Sequence, residues 1–100
     1  MKALGVDPGM TNTGYGLVIS VSGGLEAGEF GTIHTLASDD MSHRLDTLYT
    51  GMKEVIARLE PDVVVLEQLF FNTNQKTALV VSQARGVLLL ACRHAGVQWY

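Results

Sequence analysis

The chain is poor in cysteine, proline and basic residues: one cysteine, two prolines and seven lysines and arginines in 100 residues. Cys92 cannot form an internal disulfide, and its apolar neighbours favour a small buried hydrophobic role over a reactive thiol. No uncharged apolar stretch reaches the ~20 residues that span a bilayer, and no basic N-terminal targeting segment precedes one. The sequence therefore predicts a soluble, cytoplasmic protein that does not contact a membrane.

The shortage of basic residues leaves a formal net charge of −3. A nucleic-acid-binding protein usually has a basic balance. Carboxylates that hold divalent metal ions nevertheless make a nuclease acidic near its site, so the charge does not exclude one. With 47% hydrophobic residues, residues 1–100 are expected to form one packed domain or part of one.

The first third of the chain predicts three strands. Ala3, Leu4 and Val6 form an apolar strand that Pro8 ends. Two further extended stretches, residues 15–21 and 25–36, are separated by a Ser-Gly-Gly turn, which favours an antiparallel meander. Gly28 within the third strand indicates a bulge or a close backbone approach.

The remainder predicts two helices and two more strands. A helix begins near Met41 after N-cap candidates in residues 38–40 and ends before Pro61, with Arg44 on its solvated face. Residues 62–67 form a β-branched run typical of a strand covered on both faces. A second helix, Gln75 to Ala95, is apolar almost all round and is expected to be buried on more than one side.

Asp7 and Glu67 are the main candidates for a chemical site. A crossover through the first helix should lay the fourth strand parallel to the first, which places the two carboxylates side by side. Such pairs either share a proton or hold a divalent cation, and oxygen ligands favour Mg²⁺ or Mn²⁺. Asp before Pro-Gly is also common turn chemistry, so Asp7 alone would indicate little.

Several motifs together resemble one known family. They are Leu4-Gly5-Val6-Asp7-Pro8-Gly9, Gly14-Tyr15-Gly16, Leu66-Glu67-Gln68-Leu69-Phe70-Phe71, Asn74 with Thr77-Ala78-Leu79, and Ser82-Gln83-Ala84-Arg85-Gly86-Val87. In this order and spacing they resemble the RuvC family of Holliday-junction resolvases over the whole chain.

The resemblance implies an α/β, RNase H-like fold: a mixed sheet of a three-strand antiparallel meander plus parallel strands, with helices packed on it. It implies a homodimer that nicks four-way DNA junctions by metal-dependent phosphodiester hydrolysis and works with the RuvA–RuvB branch-migration complex. Asp7 and Glu67 match two of the four catalytic, metal-binding carboxylates, and Phe70 matches an aromatic residue inserted at the crossover. We also expect DNA contacts from Asn74 and Lys76, although a solvated Lys76 explains the sequence equally well.

The other two acids of the family belong to a C-terminal helix that this sequence does not contain. Two-metal catalysis needs ligands that position both ions. We therefore expect two Mg²⁺ ions, with Mn²⁺ as a substitute, only in the complete protein, and little or no activity from these 100 residues. Two alternatives stay open: a non-catalytic dimerisation or DNA-binding module, and an ATPase or kinase of the actin-like fold.

Overall fold

The computed structural model describes residues 1–67 and 75–100. Five strands and two helices follow one another along the chain: β1 (Lys2–Asp7), β2 (Asn12–Val21), β3 (Gly24–His34), α1 (Met41–Leu59), β4 (Val63–Leu66), α2 (Gln75–Ala95) and β5 (Gln98–Trp99). The strands form one sheet in the order β3-β2-β1-β4-β5. β1, β2 and β3 pair antiparallel, while β4 lies parallel to β1 and β5 parallel to β4. The predicted mixed sheet is confirmed.

The bulge predicted at Gly28 is present between β2 and β3. The register shifts between Gly16 and Val18, so that two residues of β3 lie opposite Leu17. A Cβ on Gly28 would lie 3.0 Å from Leu17 Cδ2, a tight contact that the leucine side chain would have to relieve by a small shift. Glycine avoids this contact where the bulge brings the β3 backbone against a buried leucine.

Helix α1 packs on the face of the sheet that carries Leu4, Val6 and Leu17. Asp40 is its N-cap and accepts a hydrogen bond from the His43 N–H at 2.8 Å. The predicted apolar face is buried at Leu48, Met52, Val55 and Ile56. A Cβ on Gly51 would lie only 2.8 Å from Ile33 Cγ2, so the helix approaches β3 closely. Apolar burial on this face therefore fixes the helix on the sheet.

Helix α2 packs beside α1 and buries only one of its sides within the described residues. Ala84, Leu88 and Cys92 are fully buried, and burial raises the pKa of the Cys92 thiol. Leu79 and Leu90 are 66% and 48% exposed. The second apolar side of α2, which the sequence also predicts to be buried, is therefore exposed among the described residues. No helix in the described ranges is long and apolar enough to cross a membrane.

Within the described part of the chain, neither helix covers the second face of the sheet. Side chains alternate along a strand, so the residues next to the buried ones in the same strand point to this second face. One row of paired residues crosses four strands here: Phe30, Gly16, Gly5 and Val65. Val65 is 45% exposed, so the prediction that β4 is covered on both faces is wrong for the described part of the chain. Its β-branched run reflects strand propensity as well as burial.

Candidate metal centre

Asp7 and Glu67 lie at neighbouring strand ends, as the crossover predicts. Val6 pairs with Leu66 in the parallel register, and the Glu67 N–H donates to the Val6 carbonyl at 2.9 Å, which extends the pairing by one residue. A hydrogen bond between the two carboxyl groups, reinforced by the negative charge of Asp7, raises the pKa of Glu67 above its usual value. The two acids are thus close enough for one proton to bridge them.

Such a pair fits a hard divalent cation. Two exposed carboxylates that share a proton repel each other once both are ionised, and a cation between them removes the repulsion. The donors are all oxygen, the ligand type that Mg²⁺ and Mn²⁺ prefer. Within residues 1–67 and 75–100, no group of three or more His, Cys, Asp or Glu side chains could hold a metal ion. Among the described residues Asp7 and Glu67 therefore have no third acid, histidine or cysteine beside them, and two carboxylates are fewer ligands than a divalent cation takes.

The carboxylate pair opens into a groove of about 410 Å³ on the uncovered face of the sheet. Its lining consists of Gly5, Val6, Asp7, Gly14, Tyr15, Gly16, Val65 and Glu67. Gly14 pairs with Asp7 and Gly16 with Gly5, so the floor beside the acids is bare backbone. A large substrate can therefore approach the carboxylates without meeting a side chain from these positions.

Tyr15 lies between the two groove glycines Gly14 and Gly16, so its side chain points to the opposite face of the sheet, where α1 packs. Its hydroxyl donates to Glu29 at 2.8 Å, and Arg58 donates to both the Tyr15 hydroxyl and Glu29. Burial first, and then the hydrogen bond to Glu29, raise the pKa of Tyr15. Tyr15 therefore stays neutral at physiological pH.

The turn that follows Asp7 is closed by Thr13. The Thr13 hydroxyl donates to the Gly9 carbonyl at 2.7 Å and accepts from the Gly9 N–H at 3.3 Å. Thr13 is fully buried. A Cβ on Gly9 would lie 2.3 Å from the Asn12 carbonyl oxygen, so only glycine fits this turn. The turn beside the candidate metal ligand is therefore tightly constrained.

A second set of bonds holds the outside of the same turn. The Thr35 hydroxyl donates to the Met10 carbonyl at 2.5 Å, and the Thr35 N–H donates to the Thr11 carbonyl at 2.9 Å. Arg44 Nε donates to the Thr35 hydroxyl at 3.0 Å and Nη2 to the Thr11 hydroxyl at 3.1 Å. The prediction that Arg44 belongs to a solvated face is wrong. A positive charge in the first turn of a helix is disfavoured by the helix dipole. The position of Arg44 in the sequence was therefore a sign that its side chain has a specific partner.

The remaining predicted residues fall in different places. Phe70 and Asn74 lie outside the described residues. Lys76 is exposed in the first turn of α2 and lines, with Met10 and Thr11, a second groove of about 330 Å³. The three histidines do not meet; each has its own neighbour, His34 with Asn12, His43 with Asp39 and His94 with Tyr49.

Comparison with known proteins gives consistent matches. The family model described as "Crossover junction endodeoxyribonuclease RuvC" matches residues 3–100. The protein of that name from Moorella thermoacetica is 50% identical over 97 residues, which are 97% of this chain and 58% of the relative. The one from Chloroflexus aggregans is 45% identical over 100 residues, covering 100% of this chain and 61% of the relative.

A solved structure agrees. T. thermophilus RuvC in complex with a Holliday junction substrate superimposes with a TM-score of 0.91 at 28% identity, covering 100% of this chain and 64% of that chain. The expected RNase H-like fold is thus confirmed. The chain spans about three fifths of the length of the curated relatives it matches. On the family model and on these likenesses, the chain belongs to the RuvC family of crossover junction endodeoxyribonucleases.

Proposed function

We propose that the whole protein is a metal-dependent endodeoxyribonuclease that cleaves four-way DNA junctions during recombination and repair. The observation that carries this proposal is the Asp7–Glu67 carboxyl pair at the end of a groove with a glycine floor. Family membership supports it. The likeness to a relative that was solved with a Holliday junction substrate supports the choice of DNA.

In this proposal Asp7 and Glu67 are the catalytic residues that hold a divalent cation, Mg²⁺ in the cell and Mn²⁺ as a substitute. When bound, the cation supplies an activated water and stabilises charge on the scissile phosphate. Gly14 and Gly16 leave room for a phosphodiester backbone beside the two acids, and the fixed turn after Asp7 holds its carboxylate toward Glu67. Since two carboxylates are an incomplete ligand set, these 100 residues alone are expected to be inactive.

We further propose a homodimer in which the exposed side of α2 meets its copy. Leu79, Gln83, Gly86 and Leu90 are all exposed, and their spacing of four, three and four residues puts them on one stripe of the helix. Apart from the backbone of α2 itself, no described atom lies within 4 Å of a Cβ built on Gly86, so a second helix can approach there. Two copies would place one carboxylate pair against each of two DNA strands.

DNA contacts are proposed for three residues near the carboxylates. Lys76 is exposed beside the turn that follows Asp7, where it can contact a phosphate. Phe70 remains a candidate for stacking on a base at the crossover, and Asn74 for a polar contact. Cytoplasmic location and cooperation with a RuvA–RuvB complex remain expectations from the family.

The proposal is tested with a protein extended to the length of its relatives and a synthetic four-way junction. Wild type should cut the junction in the presence of Mg²⁺, whereas Asp7→Asn and Glu67→Gln should bind the junction but cut it at least 100-fold more slowly, as expected when a metal ligand is lost. Arg93→Gln, at the exposed end of α2, is the control and should cut normally. Full activity of Asp7→Asn would contradict the proposal.

A further inference from the structure

The segment between Asp7 and β2 follows the candidate metal ligand directly along the chain. Asp7 is the last residue of β1 and β2 begins at Asn12, so residues 8–11 join the two paired strands, and the Thr11 carbonyl continues the β2–β3 pairing by accepting from the Thr35 N–H. Thr13 fixes the start of this turn through Gly9. The rest of the turn, Met10 and Thr11, is held from outside the sheet.

Arg44 is the centre of that outer attachment. It reaches Thr11 directly, and it reaches Met10 through the Thr35 hydroxyl, which donates to the Met10 carbonyl. Across residues 1–67 and 75–100, no carboxylate lies within ion-pair distance of Arg44. The described hydrogen bonds of its guanidinium go to Thr11 in the turn and to Thr35, which itself binds the turn.

Anchoring of α1 does not require these bonds. The helix is held to the sheet by Leu48, Met52, Val55 and Ile56, all buried and located one to three turns further along. Arg44 instead lies in the first turn, where the helix dipole disfavours a positive charge. A cation at this disfavoured position, bonded to the turn after Asp7, points to a role at that turn.

We propose that Arg44 is a positioning residue for Asp7: by binding Thr11 and Thr35 it fixes residues 10 and 11 and so holds the Asp7 carboxylate beside Glu67 for a divalent cation. The inference rests on the proposed metal site. It adds that the affinity of the site depends on a residue that does not touch the metal. Residues that orient metal ligands from behind typically change affinity by about 10–100-fold when they are lost.

Electrostatics and positioning predict opposite results for Arg44→Gln. Removing a positive charge near a cation site should by itself strengthen cation binding. A positioning role predicts that binding weakens. Arg44→Lys keeps the charge but replaces the planar fork with one ammonium group, which cannot reproduce the pair of bonds from Nε and Nη2, so it should weaken binding too.

The test is a Mn²⁺ titration of the chain, followed through the paramagnetic broadening of the backbone amide signals of Gly5 and Gly14. We expect wild type to broaden first and Arg44→Gln to need about tenfold more Mn²⁺. Arg93→Gln, the same change at the exposed end of α2, should match wild type. Signals of α1 and β1 in the same spectra show that each variant is folded.

Thr11→Val provides a milder variant, because it removes one hydroxyl from an exposed position. It should weaken Mn²⁺ binding several-fold even if Arg44→Gln does not fold. Addition of guanidinium ion at a concentration too low to denature the chain should restore binding to Arg44→Ala, because the ion can donate to the Thr11 and Thr35 hydroxyls in place of the missing side chain.

The outcomes separate the two proposals. If wild type binds Mn²⁺, Asp7→Asn does not, and Arg44→Gln, Arg44→Lys and Thr11→Val all bind as wild type does, the positioning role is overturned and the metal site stands. If wild type and Asp7→Asn bind equally, the metal site is overturned and the positioning role with it.

Discussion

Thr13→Val tests whether hydrogen bonding or packing holds the turn beside Asp7. Valine has nearly the shape of threonine but cannot donate to the Gly9 carbonyl or accept from the Gly9 N–H, bonds of 2.7 and 3.3 Å. A net hydrogen bond contributes about 1 kcal/mol, and a buried partner left unpaired costs about 1–3 kcal/mol. Because Gly9 is only half-buried, water can reach it, and we expect a loss of about 1–2 kcal/mol in the free energy of unfolding.

The assay is urea unfolding, with hydrogen exchange of the Gly9 amide as a local measurement. Thr13→Ser is the matched control: it keeps the hydroxyl and loses one buried methyl group, about 1 kcal/mol. Protection of the Gly9 amide should survive in Thr13→Ser and disappear in Thr13→Val. If packing alone held the turn, Thr13→Val would be at least as stable as wild type. That result would show that the Thr13 hydroxyl bonds do not stabilise the turn.

Three further predictions concern the site and the interface. Asp7→Asn should lower the pKa of Glu67 toward its usual value in a ¹³C NMR titration. Because this pKa is raised in the folded wild type, the hydrogen bond between the acids stabilises the fold at low pH, and this stabilisation is lost as the pH rises through the raised pKa. The variant should lack this pH dependence. Gly9→Ala should destabilise the fold by more than ~1 kcal/mol in urea unfolding, because its Cβ would lie 2.3 Å from a carbonyl oxygen; no change would show that the turn is pliable. Leu79→Glu should convert a dimer to a monomer in sedimentation velocity, and unchanged dimerisation would place the interface elsewhere.

The sequence predicted the topology because its signals are local and strong. The step-of-three-and-four apolar pattern of α1, the N-cap candidates up to Asp40 and the β-branched run of β4 each specify one element, and the handedness of crossovers then places β4 beside β1. The proximity of Asp7 and Glu67 follows from that topology alone. The family resemblance added the chemistry expected of the pair.

The outer attachment of the Asp7 turn could not be predicted in the same way. Arg44, Thr11 and Thr35 come from three separate segments, and nothing in their spacing indicates that they meet. Val65 shows a second limit, since a β-branched run has the same appearance whether one face or both faces of a strand are covered. Contacts between distant polar residues depend on tertiary geometry that periodicity does not encode.

Asp7 and Glu67 are proposed to form one divalent-cation site. Crystals of the chain soaked in Mn²⁺ and measured at the manganese absorption edge test it directly. Wild type should show one anomalous peak between the two carboxylates, and Asp7→Asn should show none there. A wild-type crystal with its manganese bound elsewhere, or an equal peak in the variant, would contradict it.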